Sequence, residues 1–257
     1  MTGDTVSRFY DEFASHYHLI FENWEASMTR QAAAISSILQ RETGRAQVTI
    51  LDCACGIGTQ SLGLAKLGYQ ITGSDLSTGA VQRARAEAAT RGLNVPLYVA
   101  DMRALDKLPI GGFEAVISMD NALAHFLSDA DLGEAARQMR AKLRVGGTLL
   151  ISIRDYDELV RDRPAVQGPA FYSDAGQRRI VFQIWDWEDA RRYAFHLYIT
   201  CETPSGWSNF HGSSVYRAVL REEITAIFAS SGFANLRWQF PDESGFYQPV
   251  LAATAIA

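Results

Sequence analysis

Two carboxylates and a pair of glycines hold the spacing on which chemistry can be read in this chain. Residues 48–52, Val-Thr-Ile-Leu-Asp, form a short β-branched run that ends in Asp52, and Cys53-Ala54-Cys55-Gly56-Ile57-Gly58 follows directly. Glycines at 56 and 58 let the backbone turn sharply and let a ligand approach where a Cβ would block it. Residues 60–66 then take a helical pattern, so the unit reads strand, glycine-rich turn, helix. That is the nucleotide-binding opening of a doubly wound sheet, with the ligand at the strand's carboxyl end. Asp75 ends the next strand, 23 residues after Asp52, a spacing at which a carboxylate grips ribose hydroxyls. The competing role for Asp75, a helix cap, is weakened because Ser77 can cap. The dinucleotide fingerprint needs a third glycine at 61, where Ser61 stands, so a NAD-dependent oxidoreductase is a minor alternative. No Ser-His-Asp set, Walker lysine or metal-ligand cluster presents itself, and no metal is expected. Cys53 and Cys55 have no second His/Cys pair nearby and read as small residues packed around the turn.

The elements that must position these residues alternate between strand and helix. Apolar runs over 69–75, 95–100, 113–119 and 148–153 read as further strands, separated by helical stretches over 77–92 and 131–143. Strands alternating with helices at this spacing predict an α/β fold: a Rossmann-like, seven-stranded, mostly parallel sheet with helices on both faces. Residues 5–43 read as two helical segments dense in aromatics, either a cap packed on the sheet or a lid over the cofactor pocket. Residues 158–217 interrupt the pattern. Pro164, Gly168, Pro169 and Gly176 mark a loop-rich crossing, and strands over 179–187, 191–199 and 213–220 predict a small antiparallel insertion after the fifth strand. Its aromatics Trp185, Trp187, Tyr193, Tyr198 and Trp207 wall a small pocket or cage a cation, or else are inner-face core or a dimer surface. A helix over 221–231 and strands over 233–240 and 247–256 close the sheet as a hairpin. The expected organisation is a helical lid over 1–45, a cofactor-binding core over 46–157, the insertion over 158–220, and a completing segment over 221–257.

Composition narrows the partners. With 257 residues, 47% hydrophobic and 21% charged, the chain has the makeup of a soluble globular protein. A net charge of −5 and the lack of any basic run argue against a nucleic-acid surface. Residues 1–9 are polar with no apolar leader core, and no apolar stretch reaches the ~18 residues of a membrane span. The expectation is a cytoplasmic protein, monomer or homodimer, that acts on a small molecule.

The phrase Leu51-Asp52-Cys-Ala54-Cys-Gly56-Ile-Gly58 resembles the first motif of class I S-adenosylmethionine-dependent methyltransferases, with Ala54 in place of the first glycine. The resemblance implies S-adenosyl-L-methionine as cofactor, held by a set comprising Asp52, Ala54, Gly56, Asp75, Leu76, Asp101, Met102 and Met119. Asp101 would bond the adenine amino group and Met102 would pack on the ring. A closer likeness is to the glycine/sarcosine N-methyltransferases. It is carried by Phe9-Tyr10-Asp11, by Tyr17-His18-Leu-Ile-Phe-Glu-Asn-Trp24 with Arg30-Gln31, by Asn121 with His125, by Arg154-Asp155-Tyr156-Asp157 and by Ser244-Gly-Phe-Tyr247-Gln-Pro. It implies that Arg30 pairs with the methionine carboxylate and that Tyr17 and Trp24 line the cofactor. It further implies that Asn121 helps hold the acceptor, that His125 lies beside the cofactor, and that Arg154 binds an acceptor carboxylate. Asp120 and Asp155 depart from the amino-acid enzymes. In methyl transfer the cofactor carries its own leaving group, so the protein needs to bind both reactants in line and exclude water. An amine acceptor must react neutral, and a nearby carboxylate or carbonyl can take its proton. The positioning set is Asn121, Arg154 and Tyr156, with Tyr17 and His125 beside it. The alternatives are N- or O-methylation of a secondary metabolite such as a heteroaromatic compound and, from another class, a non-catalytic cofactor-binding protein.

Overall fold

Residues 2–174 and 176–257 are described by a computed structural model; Met1, where the expected N-terminal unit begins, and Ala175 lie outside the described residues. The N-terminal segment is helical: α1 (Thr2–Phe13), a 3-10 turn (Tyr17–Ile20) and α2 (Trp24–Thr43). Asn23 caps α2 by accepting from the Ala26 N–H at 2.8 Å. Then the alternation begins: β1 (Thr49–Asp52), α3 (Thr59–Lys66), β2 (Gln70–Asp75), α4 (Thr78–Thr90), β3 (Leu97–Val99), β4 (Phe113–Ser118), α5 (Asp129–Lys142) and β5 (Leu143–Ser152). Ser77 caps α4 through the Ala80 N–H, which leaves the Asp75 side chain free of that duty.

After β5 come α6 (Tyr156–Asp162), four long strands β6 (Val166–Asp174), β7 (Gln177–Trp187), β8 (Arg192–Thr203) and β9 (Gly206–Arg217), then α7 (Arg221–Ser230), β10 (Phe233–Gln239), α8 (Pro241–Ser244) and β11 (Val250–Ala255). The main sheet has seven strands in the order β10-β11-β5-β4-β1-β2-β3, parallel except that β11 runs antiparallel to both neighbours. Its centre is buried on both faces, which is why β1, β4 and β5 read as continuous apolar runs: Ile50, Leu51, Val116, Ile117, Leu149 and Leu150 are fully buried.

The second sheet, β6-β7-β8-β9, is wholly antiparallel. The expected loop-rich crossing is corrected: it contains α6 and a nine-residue edge strand, β6. Gly168 and Pro169 fall where the β6–β7 register shifts between Gln167 and Ala170, and an edge strand tolerates a missing N–H there. The third strand of the insertion starts earlier than its sequence suggests, at Gly206. On β8, Tyr193, Phe195, Leu197 and Ile199 alternate inward against the main sheet. Helix α1 packs on β9 and α4; at Gly212 a Cβ would stand 2.3 Å from the Phe13 ring, so only glycine permits this approach.

Candidate active site

At the carboxyl ends of β1, β2 and β4, roofed by α1, lies a cavity lined by the glycine turn, Asp75, Leu76, Asp101, Met102 and Met119. Gly56 has φ +51° and nothing within 4 Å of where its Cβ would stand, so the turn presents bare backbone. The Asp75 carboxylate is held by two backbone donors, Gly56 N–H at 2.8 Å and Ser77 N–H at 2.9 Å, and keeps lone pairs to spare. Burial pushes its pKa up, against the pull of those two bonds. Asp101 accepts from the Arg103 N–H at 2.8 Å and pairs with its guanidinium, which also reaches Asp131 at 2.8 Å. A carboxylate for ribose hydroxyls, a carboxylate for an amino group and apolar walls between them fit the adenosyl part of S-adenosylmethionine.

Three residues named from the sequence stand behind this wall or beyond it. Asp52 is buried beneath the turn, where it accepts from the Ser61 hydroxyl at 2.7 Å, and burial pushes its pKa up to about 7. Trp24 does not line the cavity: its indole N–H donates to Thr59 Oγ1 at 2.9 Å, and Thr59 is the lining residue. Arg30 opens instead into a second, adjoining cavity.

That second cavity lies between the main sheet, the N-terminal segment and the antiparallel sheet, and shares Tyr17 and Asp120 with the first. Arg154 reaches it from the end of β5. Its guanidinium donates to Tyr193 Oη at 3.1 Å and to Gln183 Oε1 at 3.2 Å, and stacks 4.8 Å from the Trp185 ring centroid and 5.5 Å from that of Tyr216. Among the described residues no carboxylate pairs with it. Asn121, held at φ +70°, a conformation Asn tolerates, sits at the base. It accepts from the Arg154 N–H at 3.1 Å and donates to Tyr156 Oη at 3.0 Å; the Tyr156 and Tyr193 hydroxyls are 3.0 Å apart. Tyr156 is fully buried and lines neither cavity; its N–H donates to the Arg154 carbonyl at 2.8 Å, and its hydroxyl is linked to the guanidinium through Tyr193. Asp155 points away and pairs with Arg221.

His125 stands in the first cavity's wall with Nε2 3.0 Å from the Tyr10 hydroxyl and Nδ1 buried without a partner. Burial, then the charge of Arg154, pushes its pKa down to about 3, so it is neutral at physiological pH. Of the five insertion aromatics, Trp185 and Tyr193 are core, Trp187 packs half-buried against them, Tyr198 stacks on Phe182, and Trp207 is half exposed. The aromatic wall of the second cavity comes from Phe21, Tyr172, Phe182, Phe195 and Tyr216. Sequence reasoning did not single out Tyr10, Gln183 or Tyr193. Tyr10 belongs to the aromatic-dense N-terminal segment and Tyr193 was noted only as an insertion aromatic; nothing local marks Gln183.

The geometry defines a class: a seven-stranded Rossmann-like fold with one cavity at the glycine turn and a second cavity adjoining it. A family model described as a methyltransferase domain matches residues 50–147. Glycine/sarcosine N-methyltransferase of Parasynechococcus marenigrum is 26% identical over 166 residues, 65% of this chain and 57% of that protein. A 2-heptyl-1-hydroxyquinolin-4(1H)-one methyltransferase of Mycobacteroides abscessus is 32% identical over 161 residues, 60% of this chain and 66% of that protein. The chain spans about half the length of the curated relatives it matches first, 57% of the P. marenigrum enzyme and 46% of the rat glycine N-methyltransferase. Among solved structures, Streptomyces venezuelae DesVI superposes with a TM-score of 0.80 at 20% identity, covering 94% of this chain and 98% of that one. Residues 50–147 thus form a methyltransferase domain, and the likeness of the chain in sequence and fold to S-adenosylmethionine-dependent methyltransferases supports S-adenosyl-L-methionine as its cofactor.

Proposed function

We propose that the protein transfers the methyl group of S-adenosylmethionine to the nitrogen of a small amine that also carries a carboxylate, as glycine and sarcosine do. The observation that carries this is Arg154: a guanidinium lining the second cavity, stacked between aromatic rings, with only neutral partners. An Arg fork in that setting suits a carboxylate, to which it makes two charge-assisted hydrogen bonds. In this reading Asp75 grips the ribose, Asp101 the adenine amino group, and Leu76, Met102 and Met119 pack on the cofactor along the Ala54–Gly56 turn. Asp52 braces that turn from below, and Trp24 braces it through Thr59. Arg30, which opens into the second cavity, would take the methionine carboxylate where that end of the cofactor extends past Tyr17, and Tyr17 stands between cofactor and acceptor.

When bound, the cofactor supplies an electrophilic methyl group on a sulfonium leaving group. The residues of this chain hold the acceptor: Asn121 and Tyr156 fix the Arg154 backbone and side chain, and Gln183 and Tyr193 aim the guanidinium. Helix α1 and the 3-10 turn act as a lid that excludes water, with the antiparallel sheet closing the other side. The aromatic wall and the quinolone-methylating relative favour a second reading, methylation of an aromatic secondary metabolite. Methyl transfer measured over glycine, sarcosine, small amines without a carboxylate, and heteroaromatic N- and O-nucleophiles separates the two. Turnover confined to the carboxylate-bearing amines supports the first reading; glycine and sarcosine no faster than a no-acceptor control, with heteroaromatics methylated, overturns it.

A further inference from the structure

Tyr17 and Asp120 are the two residues that line both cavities, so the methyl group must pass beside them. Asp120 is held there under constraint. Its φ is +59°, a left-handed conformation that a non-glycine residue adopts at a cost, and its N–H donates to Ser152 Oγ at 2.7 Å. Its carboxylate is turned toward the cavities by the loop before β11: the Tyr247 hydroxyl donates to Oδ1, and Gln248 Nε2 approaches the same atom at 3.5 Å. Among the described residues Oδ2 has no partner, and no cation is close enough to form an ion pair. The groups that face it are Tyr10 and Tyr17 from the N-terminal segment, Tyr247 from the loop before β11, and Arg154 from the end of β5. None of the three phenols is a competing base: loss of solvent around the hydroxyl raises the pKa of each, at Tyr247 with the added charge of Asp120, although the Tyr247 ring is half exposed.

We propose that Asp120 Oδ2 receives the acceptor's ammonium group and takes its proton, so that the nitrogen lone pair is freed at the junction of the two cavities. This rests on the reading of the acceptor as an amine. In the step an N–H bond breaks, its electron pair stays on nitrogen, and the proton moves to Oδ2, leaving a neutral amine and a neutral carboxylic acid. Burial raises the Asp120 pKa, which makes the carboxylate a stronger base than one in water, while the Tyr247 bond and the charge of Arg154 pull the other way. Arg154 and Asp120 would then bind the two ends of one zwitterion, the carboxylate at the guanidinium and the ammonium at Oδ2. His125, neutral and bonded to Tyr10, is left to shape the wall.

The test is Asp120→Asn, which keeps the shape, the tolerance of left-handed backbone and an acceptor for Tyr247. The variant should bind S-adenosylhomocysteine within about threefold of wild type, showing a folded cofactor pocket. Its kcat/KM with glycine or sarcosine should fall on the order of 100-fold near neutral pH, because the variant must select the scarce neutral amine from solution. The deficit should shrink about tenfold per pH unit toward the amine's own pKa, where solution supplies the neutral form. A second readout needs no turnover: the same amines are titrated into the S-adenosylhomocysteine complex in two buffers of different ionisation enthalpy. Wild type should take up the amine without releasing a proton to buffer, and the Asn variant should release about one per amine bound. Equal rates for variant and wild type across the pH range would overturn the assignment while leaving the amine reading intact. Weaker binding of S-adenosylmethionine but not of S-adenosylhomocysteine, which lacks the sulfonium charge, would also overturn it, placing the carboxylate on the sulfonium. Failure of wild type to methylate any amine, with a hydroxyl acceptor methylated instead, would bring down the amine reading and this inference together.

Discussion

Asp75 and Arg154 divide the work of binding, and each can be removed separately. The Asp75 carboxylate accepts from two backbone donors, in the glycine turn and before α4, so a truncation there takes away the ligand's partner and also leaves the Gly56 and Ser77 N–H groups without it. Asp75→Ala should weaken S-adenosylhomocysteine binding by roughly 1.5–3 kcal/mol, the worth of hydrogen bonds to a charged group. Calorimetric titration reads this directly, and wild-type affinity would remove Asp75 from the pocket. Arg154→Ala should raise the acceptor KM on the order of 10- to 100-fold, again the range for charged hydrogen bonds, with the cofactor Kd little changed. A loss confined to cofactor affinity would contradict the role given to Arg154. Asp75, Asp101 and the glycine turn were legible in the sequence because each sits within a few residues of a strand end, where the fold fixes its direction. The support of Arg154 was not: Gln183 and Tyr193 reach it from 29 and 39 residues away, across a sheet that the sequence only outlines. Asp120 stood out only as a departure from a motif, and Tyr247, its partner, lies 127 residues on.

At the scale of elements, two anchors tie the N-terminal segment over the site. Asp11 of α1 accepts from the Ser77 hydroxyl at 2.5 Å and the Gly79 N–H at 2.7 Å, at the start of α4. Arg179 of β7 donates to the carbonyls of Leu19, Phe21 and Glu22 at 3.0, 2.6 and 2.7 Å, gripping the backbone just after Tyr17. Arg179→Ala should therefore loosen residues 17–23 without unfolding either sheet. The S-adenosylhomocysteine Kd should rise by about 3- to 30-fold, within the worth of the lost bonds. Amide exchange in 17–23 should quicken while that in β4 and β5 stays unchanged. Uniform loss of protection across the main sheet would show that Arg179 serves global stability instead. The order of elements in the core was readable from alternating apolar runs and helical spacing, and the main sheet follows it. Strand β6 was not, because Gly168 and Pro169 mimic a loop; only the neighbouring strand and its register shift make room for them.

For the molecule as a whole, two buried titrating groups pull stability in opposite directions with pH. His125 has its pKa pushed below the unfolded value of 6.5, to about 3, so the unfolded chain binds more protons and this contribution rises with pH up to about 6.5. Asp52 has its pKa pushed above 3.8, to about 7, so the folded chain binds more protons and this contribution falls as pH rises through that window. Relative to wild type, Asp52→Asn should therefore gain stability between pH ~4 and ~7, and His125→Gln should lose it between pH ~3 and ~6.5, each by at most ~1.4 kcal/mol per pH unit. Urea melts of the three proteins across that range check both signs, and parallel curves would contradict them. In the described residues no helix is long and apolar enough to cross a membrane. The central claim, that the cavity under α1 is the S-adenosylmethionine pocket, is tested most directly by titrating the protein with S-adenosylhomocysteine in a calorimeter. One site per chain, weakened in Asp75→Ala and unaffected by NADH, is the expected result; no binding, or binding of NADH in its place, would contradict it.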